Sequence, residues 1–134
     1  MNAMDKKIIS IVSGSYNEEG NLQEFYDRVV RTLSAFPQYT YEIIVADNCS
    51  TDGSRALLRR LAAKDADFKV IFNSNNFGPV RSGYNAFLQA SGSAVVLMSA
   101  DLQDPPEMIA DFLRKWEAGS QVVVATKPES AENP

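Results

Sequence analysis

Residues 8–47 open with Ile8-Ile9-Ser10-Ile11-Val12 and continue through Ser13-Gly14-Ser15-Tyr16-Asn17-Glu18-Glu19-Gly20-Asn21. A stretch follows whose apolar side chains are Leu22, Phe25, Tyr26, Val29, Val30, Leu33 and Phe36, and the segment closes on Tyr41-Glu42-Ile43-Ile44-Val45-Ala46-Asp47. The first run is short, β-branched and bounded by Gly14, which predicts a strand. Spacing of i, +3, +4, +7, +8, +11 and +14 keeps one face of a helix apolar from Asn17 through Phe36, and Pro37 stops it. Tyr41–Ala46 reads as the second strand. A strand, a helix and a strand joined by links this short make a right-handed unit with parallel strands.

The same alternation runs outward to the end of the chain. Asp52-Gly53-Ser54 opens a helix through Leu57, Leu58 and Leu61 to about Ala66, and Lys69–Phe72 is a third strand. After the amide-rich link Asn73–Gly78, residues 80–90 read as a helix with Tyr84, Phe87 and Leu88 inward. Ala94–Met98 is a nearly all-apolar fourth strand, as suits one covered on both faces. Asp104-Pro105-Pro106-Glu107 has the form of a capping box with proline at the first helical position, leading a helix with Ile109, Phe112, Leu113 and Trp116 inward that Gly119 stops. Gln121–Ala125 is expected as a fifth strand. The fold class is therefore α/β, three layers around a mainly parallel sheet. Residues 1–5 read as a disordered leader, 6–126 as one domain, and 127–134 as a frayed polar tail.

Composition narrows the chemistry. The chain has 134 residues, 45% of them hydrophobic and 22% charged, with 13 basic against 17 acidic residues and a net charge of −4. An acidic balance argues against nucleic-acid binding. With no histidine, Ser-His-Asp and Cys-His catalysis and His-ligated metals are excluded within this chain. The lone Cys49 excludes an intrachain disulfide and fits a reducing compartment. No apolar run is long enough to cross a bilayer. Carboxylates, amides, hydroxyls, Arg and Lys remain.

In open parallel sheets, ligands bind beyond the carboxyl ends of the strands, and there the informative polar residues cluster. Neither a dinucleotide glycine fingerprint nor a P-loop occurs. In the first link, Tyr16 and Asn17 are candidates for a ligand wall, although Asn17 followed by two acids also reads as a helix cap. In the second link, Asp47 at the end of a buried strand is placed to accept hydrogen bonds from a base or ribose. In the third, Gly78 permits a tight turn and Arg81 lies in the first turn of a helix, where the dipole does not favour a cation; an anionic partner or plain solvation accounts for it. In the fourth, Asp101 and Gln103 present oxygen just past a strand end, a hard donor pair suited to Mg²⁺ or Mn²⁺ shared with a phosphate.

Four motifs in order, Tyr16-Asn17-Glu18-Glu19, Asp47-x-x-Ser50-Thr51-Asp52-Gly53-Ser54, Asn76-Phe77-Gly78 and Ala100-Asp101-Leu102-Gln103-Asp104-Pro105-Pro106-Glu107, resemble those of family 2 inverting glycosyltransferases. Within that family the sequence is most similar to the branch that loads a sugar onto polyprenyl or dolichyl phosphate. The resemblance covers about Lys7 to Ala125 and implies a GT-A fold, a UDP- or GDP-linked sugar donor and a Mg²⁺ or Mn²⁺ ion. It implies that Tyr16, Asn17, Glu18, Asp47, Gly78, Arg81 and Asp101 serve the nucleotide-sugar site, with Asp47 at the base and Asp101 and Gln103 at the metal and diphosphate. An acceptor oxygen of a lipid phosphate or glycan would attack the anomeric carbon from the face opposite the leaving diphosphate. Three departures stand out: Ser99 replaces the first carboxylate of the usual Asp-x-Asp, Asn48 replaces the second of the usual Asp-Asp, and Gly14-Ser15 replaces a proline region. Such enzymes continue further, so the chain reads as the donor-binding part of a longer protein, shortened on its carboxyl-terminal side and weak or inactive alone. The resemblance places it at the cytoplasmic face of a membrane, with any membrane contact through segments beyond this stretch, no nucleic-acid partner, and a homo-oligomer left open. Two other readings are a non-catalytic nucleotide-sugar-binding module on the same fold and a flavodoxin-like or receiver-like signalling domain.

Overall fold

The computed structural model describes residues 5–127; apart from Asp5 and Lys127, the expected leader and tail lie outside the described residues. Strands β1 (Lys7–Ser15), β2 (Tyr39–Asp47), β3 (Phe68–Phe72) and β4 (Ala94–Leu97) alternate with helices α1 (Leu22–Leu33), α2 (Ser54–Lys64), α3 (Pro79–Leu88) and α4 (Met108–Glu117). The sheet runs β3-β2-β1-β4 and every pairing is parallel. β1 aligns residue for residue with β2 from Lys7 opposite Tyr39 to Ser15 opposite Asp47, so the carboxyl ends of both strands stop level.

Alternation along the strands divides the core between two faces. Ile9, Ile11, Ile43 and Val45 meet Phe25 and Val29 of α1, Leu58 and Leu61 of α2, and Ile109 and Leu113 of α4. On the other face Val12, Ile44 and Ala46 meet Ala86 of α3. A two-pronged ion pair joins α1 to α4: Arg28 Nε and Nη2 donate to the two Glu107 carboxylate oxygens at 2.9 and 2.7 Å.

Three expectations are corrected. Gln121–Ala125 forms no strand; the segment lies irregular beside β4, with Val122 and Val124 exposed. The inward residues of α3 are Ser82 and Ala86, not Tyr84, Phe87 and Leu88, which are exposed. Only short side chains fit there, because α3 packs close against β1 and β2 and Ser82 Oγ accepts a hydrogen bond from the buried Asn73 amide at 2.9 Å. The capping box does not form either. Residues 105–110 climb into α4 through i→i+3 bonds, from Met108 N–H to the Pro105 carbonyl and Ile109 N–H to the Pro106 carbonyl, while the Glu107 carboxylate is spent on Arg28.

The end of the sheet opposite the strand carboxyl termini is held by Glu42, which is 3% exposed on the α3 face. It accepts from Ser10 Oγ at 2.6 Å, Lys69 Nζ at 2.7 Å, and Ser91 N–H and Oγ at 2.6 and 3.0 Å. The next residue, Gly92, donates its N–H to Ser10 Oγ at 2.9 Å. A Cβ there would stand 2.5 Å from Ser10 Oγ, 2.7 Å from the Ile8 carbonyl and 2.9 Å from Ser10 N. Two of those atoms are β1 backbone and cannot retreat without breaking pairing. Gly92→Ala is expected to cost about 1–3 kcal/mol in urea unfolding; an unchanged midpoint would show that the close approach is not required.

Candidate functional site

Successive strands step outward from β1 to β3, and the chain then returns to lay β4 on the other side of β1. The carboxyl ends of β1 and β4 are thus the place where strand order reverses. A hollow of about 840 Å³ opens there. Its floor is the end of β1, Val12–Tyr16, with Glu18 and Asn48 beside it. One wall is α3, through Val80, Tyr84 and Phe87, and the other is the end of β4, through Leu97–Ser99 and Asp104. Two of the three apolar side chains that sequence periodicity assigned to the core of α3, Tyr84 and Phe87, therefore form part of the wall of this hollow. A second hollow, about 720 Å³, lies along the flank of β4 between α4 and residues 121–125 and shares Phe87, Leu97, Met98 and Asp104 with the first.

Each of the four strand-end links contains one residue in the left-handed backbone region: Asn17 (φ 51°), Cys49 (φ 65°), Gly78 (φ 83°) and Leu102 (φ 64°). Three are not glycine, at a cost of roughly 1–2 kcal/mol each. At Asn17, hydrogen bonds to the second link offset it. Asn17 Oδ1 accepts from Thr51 N–H at 2.8 Å and Asp52 N–H at 3.3 Å, and its own N–H donates to Ser50 Oγ at 2.9 Å. Glu18 N–H donates to Ser54 Oγ at 3.0 Å, and Gly53 N–H to Glu19 Oε2 at 2.9 Å. Asn48 fastens the third link to the second: its Nδ2 donates to Asn76 Oδ1 at 2.7 Å, and its Oδ1 accepts from Phe77 N–H at 2.9 Å. The left-handed turn at Asn17 also explains why α1 starts at Leu22, so Asn17 caps no helix of its own.

Tyr16 and Glu18 line the hollow, Tyr16 with 48% of its surface open. Asn17 is beside them but its side chain serves the second link. Asp47 is corrected. It is fully buried, Oδ1 accepting from Ser50 Oγ at 2.5 Å and Oδ2 from Ser50 N–H at 3.0 Å, so its carboxylate shapes the loop and is not turned toward a base. Gly78 sits immediately before α3, and Arg81 is exposed; neither lines the hollow. Asp101 and Gln103 form one turn with Ser99: Asp101 Oδ1 accepts from Gln103 N–H at 3.0 Å and Asp101 N–H donates to Ser99 Oγ at 3.4 Å. The carboxylate that lines the hollow from this segment is Asp104, read from sequence as a cap. Sequence reading also passed over Ser13, Ser15, Ser82 and Gly83, whose place in the hollow depends on which strands are neighbours. Among the described residues no three acidic or cysteine side chains gather into a metal-holding group. A hard-oxygen turn with one or two carboxylates is nonetheless the donor set that binds Mg²⁺ together with substrate phosphates.

Residues 10–133 match the family described as Glycosyl transferase family 2. The chain belongs to that family. It is 36% identical over 124 residues to the undecaprenyl-phosphate 4-deoxy-4-formamido-L-arabinose transferase of Aeromonas hydrophila, covering 92% of this chain and 38% of the relative. Among solved structures, the mannosyltransferase PcManGT of Pyrobaculum calidifontis in complex with GDP-Man and Mn²⁺ superposes with a TM-score of 0.71 at 24% identity, over 90% of this chain and 35% of that one. TarS residues 1–349 of S. aureus in complex with UDP-GlcNAc superpose with a TM-score of 0.66 at 26% identity, over 82% and 31%. The family 2 chain therefore has the GT-A fold of glycosyltransferases. It spans less than two-fifths of the length of the relatives it matches, 36–39%.

Proposed function

We propose that this family 2 chain is the donor-binding part of an enzyme that moves a sugar from a UDP- or GDP-sugar to a lipid-phosphate acceptor, polyprenyl phosphate being the leading candidate and a glycan the other. The observation that carries the reading is the hollow at the strand-order reversal, with the Tyr16 ring open on its floor. An exposed aromatic face beside backbone and serine hydrogen-bonding groups suits stacking of a base and ordering of a ribose. The relative named for undecaprenyl phosphate supports the acceptor class.

Asp101 and Gln103, with Asp104 on the adjoining wall, would hold Mg²⁺ or Mn²⁺. When bound, the cation supplies neutralisation of the departing diphosphate. Without it, a carboxylate about 4 Å from one phosphate charge opposes binding by roughly 4 kcal/mol at an effective dielectric of 20. The residues of this chain bind and orient: Tyr16 the base, Glu18 and Ser99 the polar rim, and α3 a water-poor wall beside the donor. As the acceptor oxygen bonds to the anomeric carbon, the bond from that carbon to the diphosphate breaks on the opposite face. A lipid-phosphate acceptor locates the reaction at the cytoplasmic face of a membrane; among the described residues no helix is long and apolar enough to cross one.

Calorimetry with UDP- and GDP-sugars, with and without Mn²⁺, tests this. One nucleotide should bind at least about tenfold more tightly with Mn²⁺, and Asp101→Asn should remove most of that gain. No binding of either nucleotide at millimolar concentration would overturn the reading.

A further inference from the structure

The stitching between the first two links is not uniform: the Asn48 N–H holds the Ser15 carbonyl at 2.8 Å, and one side-chain bond reaches the peptide that joins Tyr16, on the floor of the hollow, to Asn17. Ser50 is 7% exposed and lies between Asp47 and Asn17. Its hydroxyl has one proton, and the 2.5 Å bond to Asp47 Oδ1 uses it. Toward Asn17 the same oxygen can then only accept, and the Asn17 N–H reaches it at 2.9 Å. That N–H belongs to the peptide joining Tyr16 to Asn17, so its direction fixes where the Tyr16 backbone turns out of β1. Behind Ser50, Arg55 Nε lies 3.8 Å from Asp47 Oδ2, and the Arg55 guanidinium is seated on the Phe72 ring at 5.0 Å. The carboxylate is thus hydrogen-bonded by Ser50 and has a cation beside it.

We propose that Ser50 is a positioning residue for Tyr16, acting through the Asn17 peptide and anchored by Asp47 and Arg55, and that it sets nucleotide affinity without touching the nucleotide. The proposal rests on the reading of the hollow as a nucleotide-sugar site. It gives a reason for a buried carboxylate at the end of β2 that differs from contact with a base. It also separates Ser50 from the neighbouring Thr51, Asp52 and Ser54, whose bonds hold the loop together but do not reach the Tyr16–Asn17 peptide.

A double-mutant cycle on the intact chain tests it, with UDP and GDP as probes. Ser50→Ala should weaken binding of whichever nucleotide the wild type takes by about tenfold, in the range of losing a hydrogen bond to a charged group. In a Tyr16→Ala background the same change should cost less than about twofold, because the residue it acts through is gone. Ser50→Thr, which keeps the hydroxyl, should restore binding. Additive losses would overturn the proposal by showing that Ser50 acts independently of Tyr16. A second measurement needs no ligand: in ¹⁵N-resolved spectra Ser50→Ala should shift the Asn17 amide and the Tyr16 ring signals while those of α4 stay in place. Should Ser50→Ala not fold, Ser50→Cys, similar in volume and a poorer acceptor, takes its place in both measurements. Unmoved Asn17 and Tyr16 signals would overturn the proposal. If the wild type bound no nucleotide but these signals moved, the functional reading would fail and the positioning would stand.

Discussion

Glu42→Gln is expected to lower the unfolding free energy by up to about 3 kcal/mol at neutral pH and to flatten its dependence on acid. Burial alone would push the Glu42 carboxyl up, but the bonds from Lys69, Ser10 and Ser91 outweigh it and bring it down to about 2 from an ordinary 4.5. The folded value is depressed, so the stabilisation is fully present above about pH 4.5 and disappears as pH falls toward 2. At 1.36 kcal/mol per unit, that interval corresponds to about 3 kcal/mol. The Lys69 side chain is 55% exposed and water screens its share, leaving the serine hydroxyls and the Ser91 N–H as the larger part. Urea unfolding of both proteins at pH 7 and pH 3 checks the result: the gap should be wide at the first and narrow at the second. An equal gap at both would mean that Glu42 is held by packing and not by its charge. Because Glu42 lies away from the carboxyl ends of the strands, nucleotide binding by the folded variant should be unchanged.

Asn17→Ala should both destabilise the chain and damage the hollow. It removes the acceptor shared by Thr51 N–H and Asp52 N–H and puts alanine at φ 51°. Two such bonds at about 0.5–1.5 kcal/mol each and a left-handed alanine at roughly 1–2 kcal/mol together amount to about 2–5 kcal/mol, part of which asparagine already bears. Nucleotide affinity should fall more than about tenfold as Tyr16 loses its support. Asn17→Asp keeps the acceptor and should stay close to wild type, while Asn17→Gly relieves the backbone and lacks only the bonds. Thermal unfolding and calorimetry across the three variants separate strain from bonding. If Asn17→Asp proved as damaging as Asn17→Ala, the side-chain acceptor would not be what joins the two links.

Much of this architecture is legible along the chain because apolar periodicity reports on burial. The β-branched runs of β1 and β2 and the stripe of α1 each bury a continuous face, and their approximate positions follow from the spacing of apolar residues. Periodicity misleads on α3. Tyr84, Phe87 and Leu88 have the size of core residues, yet a helix packed close to two strands has room only for Ser82 and Ala86 on its inner side. Residues 121–125 mislead similarly: a valine run has the composition of a strand, but a strand also needs a neighbour to pair with, and none pairs with it among the described residues. In the site, Tyr16 is a candidate from its place just past a strand end, whereas Glu18 is one only through the family resemblance, its local pattern reading equally as a helix start. Asp47 is spent on Ser50 three residues on, a local turn that these residue types permit but do not require.

Local pattern and motif order thus suffice for the α/β class, the parallel strands and the family, because these depend on burial periodicity and on which residue types sit at strand ends. Which of those polar residues meet the hollow, and which are bound to one another beneath it, was settled only by the order β3-β2-β1-β4. That order makes β4 the neighbour of β1, brings Ser99 and Asp104 to the same hollow as Tyr16, and leaves Asp47 under its own loop. The physical reason is that a hydrogen-bonding group is committed by its nearest partner in space, and for Asn17, Ser50 and Asn48 the deciding partners lie 28 to 34 residues away along the chain.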